Sequence, residues 1–249
     1  MYATCKAFTA FILMIAVTTN SNAQYKSSVY EAGISVGTLI YQGDLTPKVY
    51  GYTKSLRPAL QVYGSKALSS YFSLRAGLTY GKILADESKY TSPDWRQFRN
   101  FKFSSRLIEL SAVMIFNPYG VNNEFNYRRL APYVLAGAGL TYLHVKRDWS
   151  GFNTNYFDGK SPAAISLAAD SLHKTPTIIP VLPVGAGGRY ILSPALALHA
   201  EFVWRLTPSD YIDGFSYRDT APKRDSYYSL SAGITYRFGK DPYRCPRVN

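Results

Sequence analysis

The sequence predicts an all-β chain, an eight-stranded antiparallel transmembrane β-barrel of the outer-membrane type, on three observations. Apolar residues recur at every second position through eight segments of roughly ten residues, the length of a tilted membrane strand. The 249 residues include 22 Tyr and 18 Gly, and aromatics reach 15%, which suits a β-structure with an unusual surface. Long and short connections alternate between the segments, as they do in outer-membrane barrels.

Composition narrows the alternatives. Hydrophobic residues make up 47% and charged residues 18%, which excludes a disordered chain and a highly charged coiled coil. Residues 1–23 read as a signal peptide. Lys6 supplies the positive start, Ala7 to Val17 the apolar stretch, and Ser21-Asn22-Ala23 a small-residue cleavage site. Cys5 precedes the apolar run, so it makes no lipoprotein site. After this leader no run approaches the ~20 apolar residues of a spanning helix, and the mean hydropathy is −0.13. The expected division is a leader at 1–23, a barrel at 24–240 and a short periplasmic tail at 241–249, exported to the cell outer membrane. Cleavage removes Cys5 and leaves Cys245 as the sole cysteine, so no internal disulfide forms and burial and hydrogen bonding must hold the fold.

The elements follow in order. In the first segment Tyr30, Ala32, Ile34, Val36 and Ile40 share one parity, with Glu31, Gly33, Ser35 and Gly37 on the other. Leu60 and Val62 then alternate with Gln61, Tyr63 and Ser65. The third segment sets Phe72, Leu74, Ala76, Leu78 and Tyr80 against Ser73, Arg75, Gly77 and Thr79. The fourth sets Ile108, Leu110, Ala112, Met114 and Phe116 against Glu109 and Ser111. Val134 to Tyr142 alternate with Gly137, Gly139 and Thr141, and Val184, Ala186 and Tyr190 with Gly185, Gly187 and Arg189. Leu196 to Trp204 alternate with His199, Glu201 and Arg205. Tyr228 to Phe238 alternate with Ser229, Ser231, Gly233, Thr235 and Arg237.

A soluble sandwich also alternates, so the polar parity decides. Here it carries Gly, Ser, Thr and isolated Arg or Glu, which suits a narrow filled lumen, while aromatics such as Phe72, Tyr80, Trp204 and Phe238 bound the apolar parity like interfacial girdles. The long links are Asp44–Leu56, Ile83–Phe101, His144–Thr177 and Thr207–Asp225; the shorter ones are Lys66–Ser69, Asn117–Leu130 and Leu192–Ser193. With the N-terminus in the periplasm, every long link falls outside the cell. Pro180 and Pro183 donate no ladder hydrogen bond, so the sixth strand is expected to be well formed only after them.

Seven charges share the lumen parity: Glu31, Arg75, Glu109, Arg189, Glu201, Arg205 and Arg237. Buried ions need partners, so these predict an Arg/Glu network plugging the barrel, with a proton or ion path as the sharper alternative. In the last strand Gly233, Tyr236 and Phe238 fit the polar-x-Gly-x-x-aromatic-x-aromatic form of an assembly signal. No catalytic triad is legible. His199 and Glu201 share the lumen face, but no Ser sits at a pairing spacing beside His199. Three scattered His and one mature Cys match no metal-ligand spacing, and no cofactor is expected. Neither Gly185–Gly188 nor Gly137–Gly139 extends into a dinucleotide motif. The net charge of +12 (+11 once Lys6 leaves with the leader) is dispersed, which fits anionic lipid headgroups better than nucleic acid.

Tyr30-Glu31-Ala32-Gly33, Tyr41-Gln42-Gly43-Asp44-Leu45 and Ala131-Pro132-Tyr133-Val134 with Gly137 and Gly139 resemble a Bacteroidota family of outer-membrane barrels, the PorG-like family. The resemblance implies an eight-stranded barrel that contacts periplasmic ring proteins of the type IX secretion and gliding machinery, and it brings no catalytic motif to carry over. Two roles stay open: a structural component of that machinery, or a surface module whose long loops bind a ligand or host surface. Tyr90, Trp95, Phe98 and Phe101 in one link, and Trp149, Phe152, Tyr156 and Phe157 in another, serve either binding or packing of loop on loop. For the first role the Asn117–Leu130 turn, longer than a hairpin needs, presents Tyr119, Glu124, Tyr127, Arg128 and Arg129, though the two arginines also suit lipid headgroups.

Overall fold

The computed structural model describes residues 29–43, 45–46, 55–90, 92–120, 122, 128–209, 212–215 and 225–238. Eight strands form a closed antiparallel barrel in sequence order: β1 (Tyr30–Gln42), β2 (Arg57–Ala67), β3 (Phe72–Asp86), β4 (Lys102–Phe116), β5 (Leu130–Asp148), β6 (Ile178–Ile191), β7 (Leu196–Leu206) and β8 (Ser226–Phe238). β8 returns to pair with β1 from Phe238 opposite Tyr30 to Ser226 opposite Gln42, so no edge is left open. Among the described residues two α-helices, α1 (Trp95–Arg99) and α2 (Pro162–Leu172), lie in the long links. No helix among the described residues is long and apolar enough to cross a membrane.

The polarity is that of a transmembrane barrel. Val36, Leu110 and Leu230 point outward at 65, 62 and 59% exposure, while Glu31, Arg75, Glu109, Glu201 and Arg205 are buried inside. Only a lipid surround makes such a wall favourable, because each exposed aliphatic side chain forfeits about 1.5–3 kcal/mol in water. Small lumen residues let the strands close. A Cβ at Gly137 would lie 2.1 Å from the Ala112 carbonyl oxygen, and one at Gly185 2.3 Å from that of Phe202.

Three strands run further than alternation predicted. β3 continues to Asp86, β4 starts at Lys102 and β5 reaches Asp148. In these extensions the polarity inverts: Ile83, Ala85, Phe103 and Leu143 face inward, and Lys82, Arg106, His144 and Lys146 are exposed. The apolar interior there belongs to a cluster built from Leu39, Tyr41, Ile83, Phe101, Leu107 and Phe215, among others. The interior is thus apolar at its long-link end and mixed at its short-turn end, where Val113, Ile115, Tyr133, Leu135 and Val203 form a smaller apolar cluster beside the buried charges.

β6 begins at Ile178, ahead of both prolines, which corrects the expectation that it forms only after them. Pro180 lies beyond the last β6–β7 pair, Leu182 with Leu206, and Pro183 falls where the β5–β6 register is interrupted between Val181 and Val184. Each missing donor therefore sits at a gap in the ladder.

Candidate functional site

The polar half of the lumen is built from charges that no strand could bury alone. β1 brings Glu31 opposite Arg237 on β8, and Arg189 on β6 reaches across to it. Arg189 grips Glu31 in bidentate fashion at 2.8 and 2.9 Å, and Arg237 donates to the same carboxylate at 3.0 Å from Nη2. Arg237 Nε and the Ser65 hydroxyl donate to it as well, each at 3.2 Å. One level deeper, Arg75 on β3 pairs with Glu201 on β7, which also accepts from the Tyr133 hydroxyl. The Arg75 guanidinium lies over the Tyr63 ring, 4.1 Å from its centroid.

Deepest is Glu109 on β4. Its Oε2 accepts from Arg205 Nε at 2.7 Å and from the Tyr227 hydroxyl at 2.8 Å, while Arg205 Nη1 donates to Ser229 Oγ at 2.6 Å. Each of the seven lumen charges named from the sequence lies in one of these three clusters. Between the last two is a void of ≈ 10 Å³, one water molecule in size, bordered by Arg75, Glu109, Glu201 and Arg205. His199 is buried between Thr235, 3.0 Å from its Nδ1, and Tyr63. Among the described residues no cluster of His, Cys, Asp and Glu could hold a metal ion.

The long-link end is closed as well, by a cap that alternation did not show. Glu87, fully buried just past β3, accepts from Arg96 at 3.0 Å, from Arg99 Nε at 2.8 Å and from the Phe101 amide at 3.2 Å, which fixes α1 over the mouth. Arg147 ties α2 and the last link to β5 by donating to the carbonyls of Asp170 at 2.6 Å, Gly214 at 3.0 Å and His173 at 3.2 Å. The Tyr41 hydroxyl lies 2.7 Å from Asp213 and 2.6 Å from Asp225, whose carboxylates also cap the Phe215 and Ile212 amides. Apart from Phe101 and Tyr41, none of these residues stands out from the sequence, because links carry no periodicity; the one further signal is a Glu followed by two Arg in a segment with three aromatics.

Most of the loop aromatics named from the sequence pack into this cap. Tyr90 and Phe101 are buried, Phe101 stacks on Phe215 at 4.6 Å, and Phe152 stacks on Phe157 at 5.2 Å. Phe98 and Tyr156, stacked at 4.2 Å, remain exposed. Because both halves of the interior are filled, purified protein in a planar bilayer is expected to show no large stable conductance; a reproducible porin-like step would contradict the filled interior.

At the short-turn end, Tyr119 and Arg128 are exposed, with the guanidinium 4.3 Å from the ring centroid, and Arg129 is exposed beside them. Glu124 and Tyr127 lie outside the described residues, as do the leader and the 241–249 tail with Cys245. The extra length of this turn has a structural use. Asn122 is buried and its Nδ2 donates to the Ser69 carbonyl at 2.8 Å and to Ser73 Oγ at 3.0 Å, binding the turn to its neighbour at 68–71. On the last strand, Tyr236 and Phe238 face outward, 6.4 Å apart, and Phe238 meets Tyr30 at 6.1 Å across the closure.

The sequence pattern of a domain of unknown function, DUF6089, matches residues 6–247. No curated protein sequence matches the chain. Solved structures similar to it are outer-membrane barrels. Ail of Yersinia pestis, crystallised with the heparin analogue sucrose octasulfate, is 11% identical, with 85% of this chain and 99% of that one covered and a TM-score of 0.44. OprG from Pseudomonas aeruginosa is 8% identical, with 87% and 98% covered and a TM-score of 0.49. Neisserial surface protein A is 15% identical, with 84% and 97% covered and a TM-score of 0.45.

Proposed function

We propose that this chain, which belongs to the DUF6089 family, is a non-enzymatic outer-membrane barrel that serves as a structural component of type IX secretion and gliding machinery through contacts on its periplasmic side. The observation that supports the reading is the filling of the interior among the described residues: ion pairs with a small apolar cluster in one half, and a larger apolar core in the other. Work must then be done by an outer surface. The packing of Phe101, Phe152 and Phe215 into the cap takes loop aromatics away from ligand binding. Tyr119 under Arg128, by contrast, offers an exposed Tyr/Arg pair of the kind that anchors protein interfaces. The tie to type IX secretion comes from the PorG-like residues at 30–33, 41–45 and 131–134, and it presumes export by the 1–23 leader with the short turns in the periplasm. The Gly233, Tyr236 and Phe238 pattern would direct insertion.

A second reading, surface binding, is favoured by α2, which exposes Ile165 at 59% and Leu172 at 87%. The test compares Tyr119→Ala/Arg128→Glu with Ile165→Ser/Leu172→Ser in the native host. Loss of an anchoring pair weakens an interface roughly thirtyfold. Secretion of a type IX cargo should collapse in the first strain and persist in the second, at equal barrel abundance. Normal secretion in the first strain with loss of surface adhesion in the second would replace the secretion role by surface binding.

A further inference from the structure

The outer wall of β3, β4 and β5 carries a stack of rows whose chemistry changes abruptly with height. The register puts Leu78, Leu110 and Leu140 side by side, then Tyr80, Ile108 and Tyr142, then Lys82, Arg106 and His144. The next row holds Leu84, Ser104 and Lys146, and the top one Asp86, Lys102 and Asp148. Lys82, Arg106, His144 and Lys146 are all exposed, and none makes an ion pair among the described residues. At this end of the barrel, outward Lys and Arg on the described strands occur only in this sector.

Like charges in directly opposed positions on neighbouring strands are destabilising. The top row avoids the penalty, since Lys102 sits between two carboxylates. The rows below do not: Lys82 faces Arg106 with no acid in either row. Asp86 and Asp148 are turned to other work, Asp86 bonding Ser88 at 2.6 Å and Lys89 at 3.4 Å, and Asp148 bonding Ser150 at 2.7 Å. Above Lys82 and Arg106 the wall is indented into an open groove of ≈ 250 Å³, whose outward lining sets Lys89, Lys102 and Lys146 beside the two occupied carboxylates Asp86 and Asp148, with Leu84 and Ser104 between them.

We propose that this sector is a binding site for a phosphate-bearing lipid of the leaflet on the long-link side. The phosphates meet Lys82, Arg106 and Lys146, the polar headgroup occupies the groove, and the acyl chains lie along the Tyr80–Ile108–Tyr142 and leucine rows. The cations stand one row above the aromatic girdle, where the ester and phosphate level of a leaflet falls. A soluble anion would need no such apolar floor beneath the charges, so the lipid is the occupant. The site rests on the membrane reading of the barrel and is independent of the secretion role.

The experiment uses the folded full chain in mixed micelles containing bisphosphorylated lipid A, with retained lipid counted by native mass spectrometry. Folding is checked in each sample by the heat-modifiable band. Lys82→Gln/Arg106→Gln should reduce retention roughly thirtyfold. Lys160→Gln/Lys174→Gln, which removes the same charge from exposed links, should leave it unchanged. Equal loss in both variants would reduce the effect to net charge and overturn the site. So would equal retention of dephosphorylated lipid A, or displacement of the lipid by millimolar inorganic phosphate. A chain that never inserts into neutral phosphatidylcholine vesicles would instead fail the membrane reading.

Discussion

Glu109→Ala is expected to cost the barrel roughly 3–5 kcal/mol, the penalty for leaving a buried charge without its partner. Glu109 and Arg205 are each 1% exposed, and the substitution strands the Arg205 guanidinium while removing the acceptor of the Tyr227 hydroxyl. The midpoint of urea unfolding, followed by loss of the heat-modifiable band in vesicles, reads the effect. The paired change Glu109→Leu/Arg205→Met is expected to recover most of the loss, because two apolar side chains of similar volume leave no ion to desolvate. A paired variant as unstable as the single one would show that shape, rather than charge compensation, governs this layer.

Glu87→Ala should act on the cap alone, with a local cost of similar size, roughly 3–5 kcal/mol. Arg96, Arg99 and the Phe101 amide all converge on that one buried carboxylate. The strands beneath remain laddered through Asp86 with Lys102, so the barrel has no reason to open. Limited trypsin digestion should cut at Arg96 and Arg99 in the variant and spare them in the parent, with the folded band intact in both. Cleavage spreading into β3 or β4 would mean that the cap and barrel unfold as one unit.

How much was legible in the sequence follows from where the membrane ends. Between the girdles the outward parity is apolar and the inward parity mostly polar, as Leu74, Leu78 and Leu110 against Arg75, Thr79 and Glu109 display, with Val113, Ile115, Leu135 and Val203 as the inward apolar exceptions. Above Tyr80, Ile108 and Tyr142 the rule reverses, so Ile83-Leu84 and His144-Val145 resemble link rather than strand. The period of two persists, but its phase relative to burial flips, so apolar alternation alone ends β3 and β5 early and starts β4 late. The partners of the lumen charges were beyond reach for another reason. Glu31 and Arg189 are 158 positions apart, and a residue's parity says which face it takes but not which cross-barrel neighbour it meets. Glu87 and Arg147 were hidden because their contacts are with link backbone and side chains, where no repeat exists to be read.

The apolar filling of the outer mouth also bears on what the molecule can display. An open cup would let each loop vary by itself, but here distant links share one interior, so Phe215 from the last link is stacked on Phe101 from the second. Sequence drift or an inserted epitope at either residue would have to be answered at the other. Gly159, with open space around it to 4 Å, carries no such obligation. Antigenic change and engineered tags should therefore gather near that tip, where the chain is visible to an antibody yet has no part in the core.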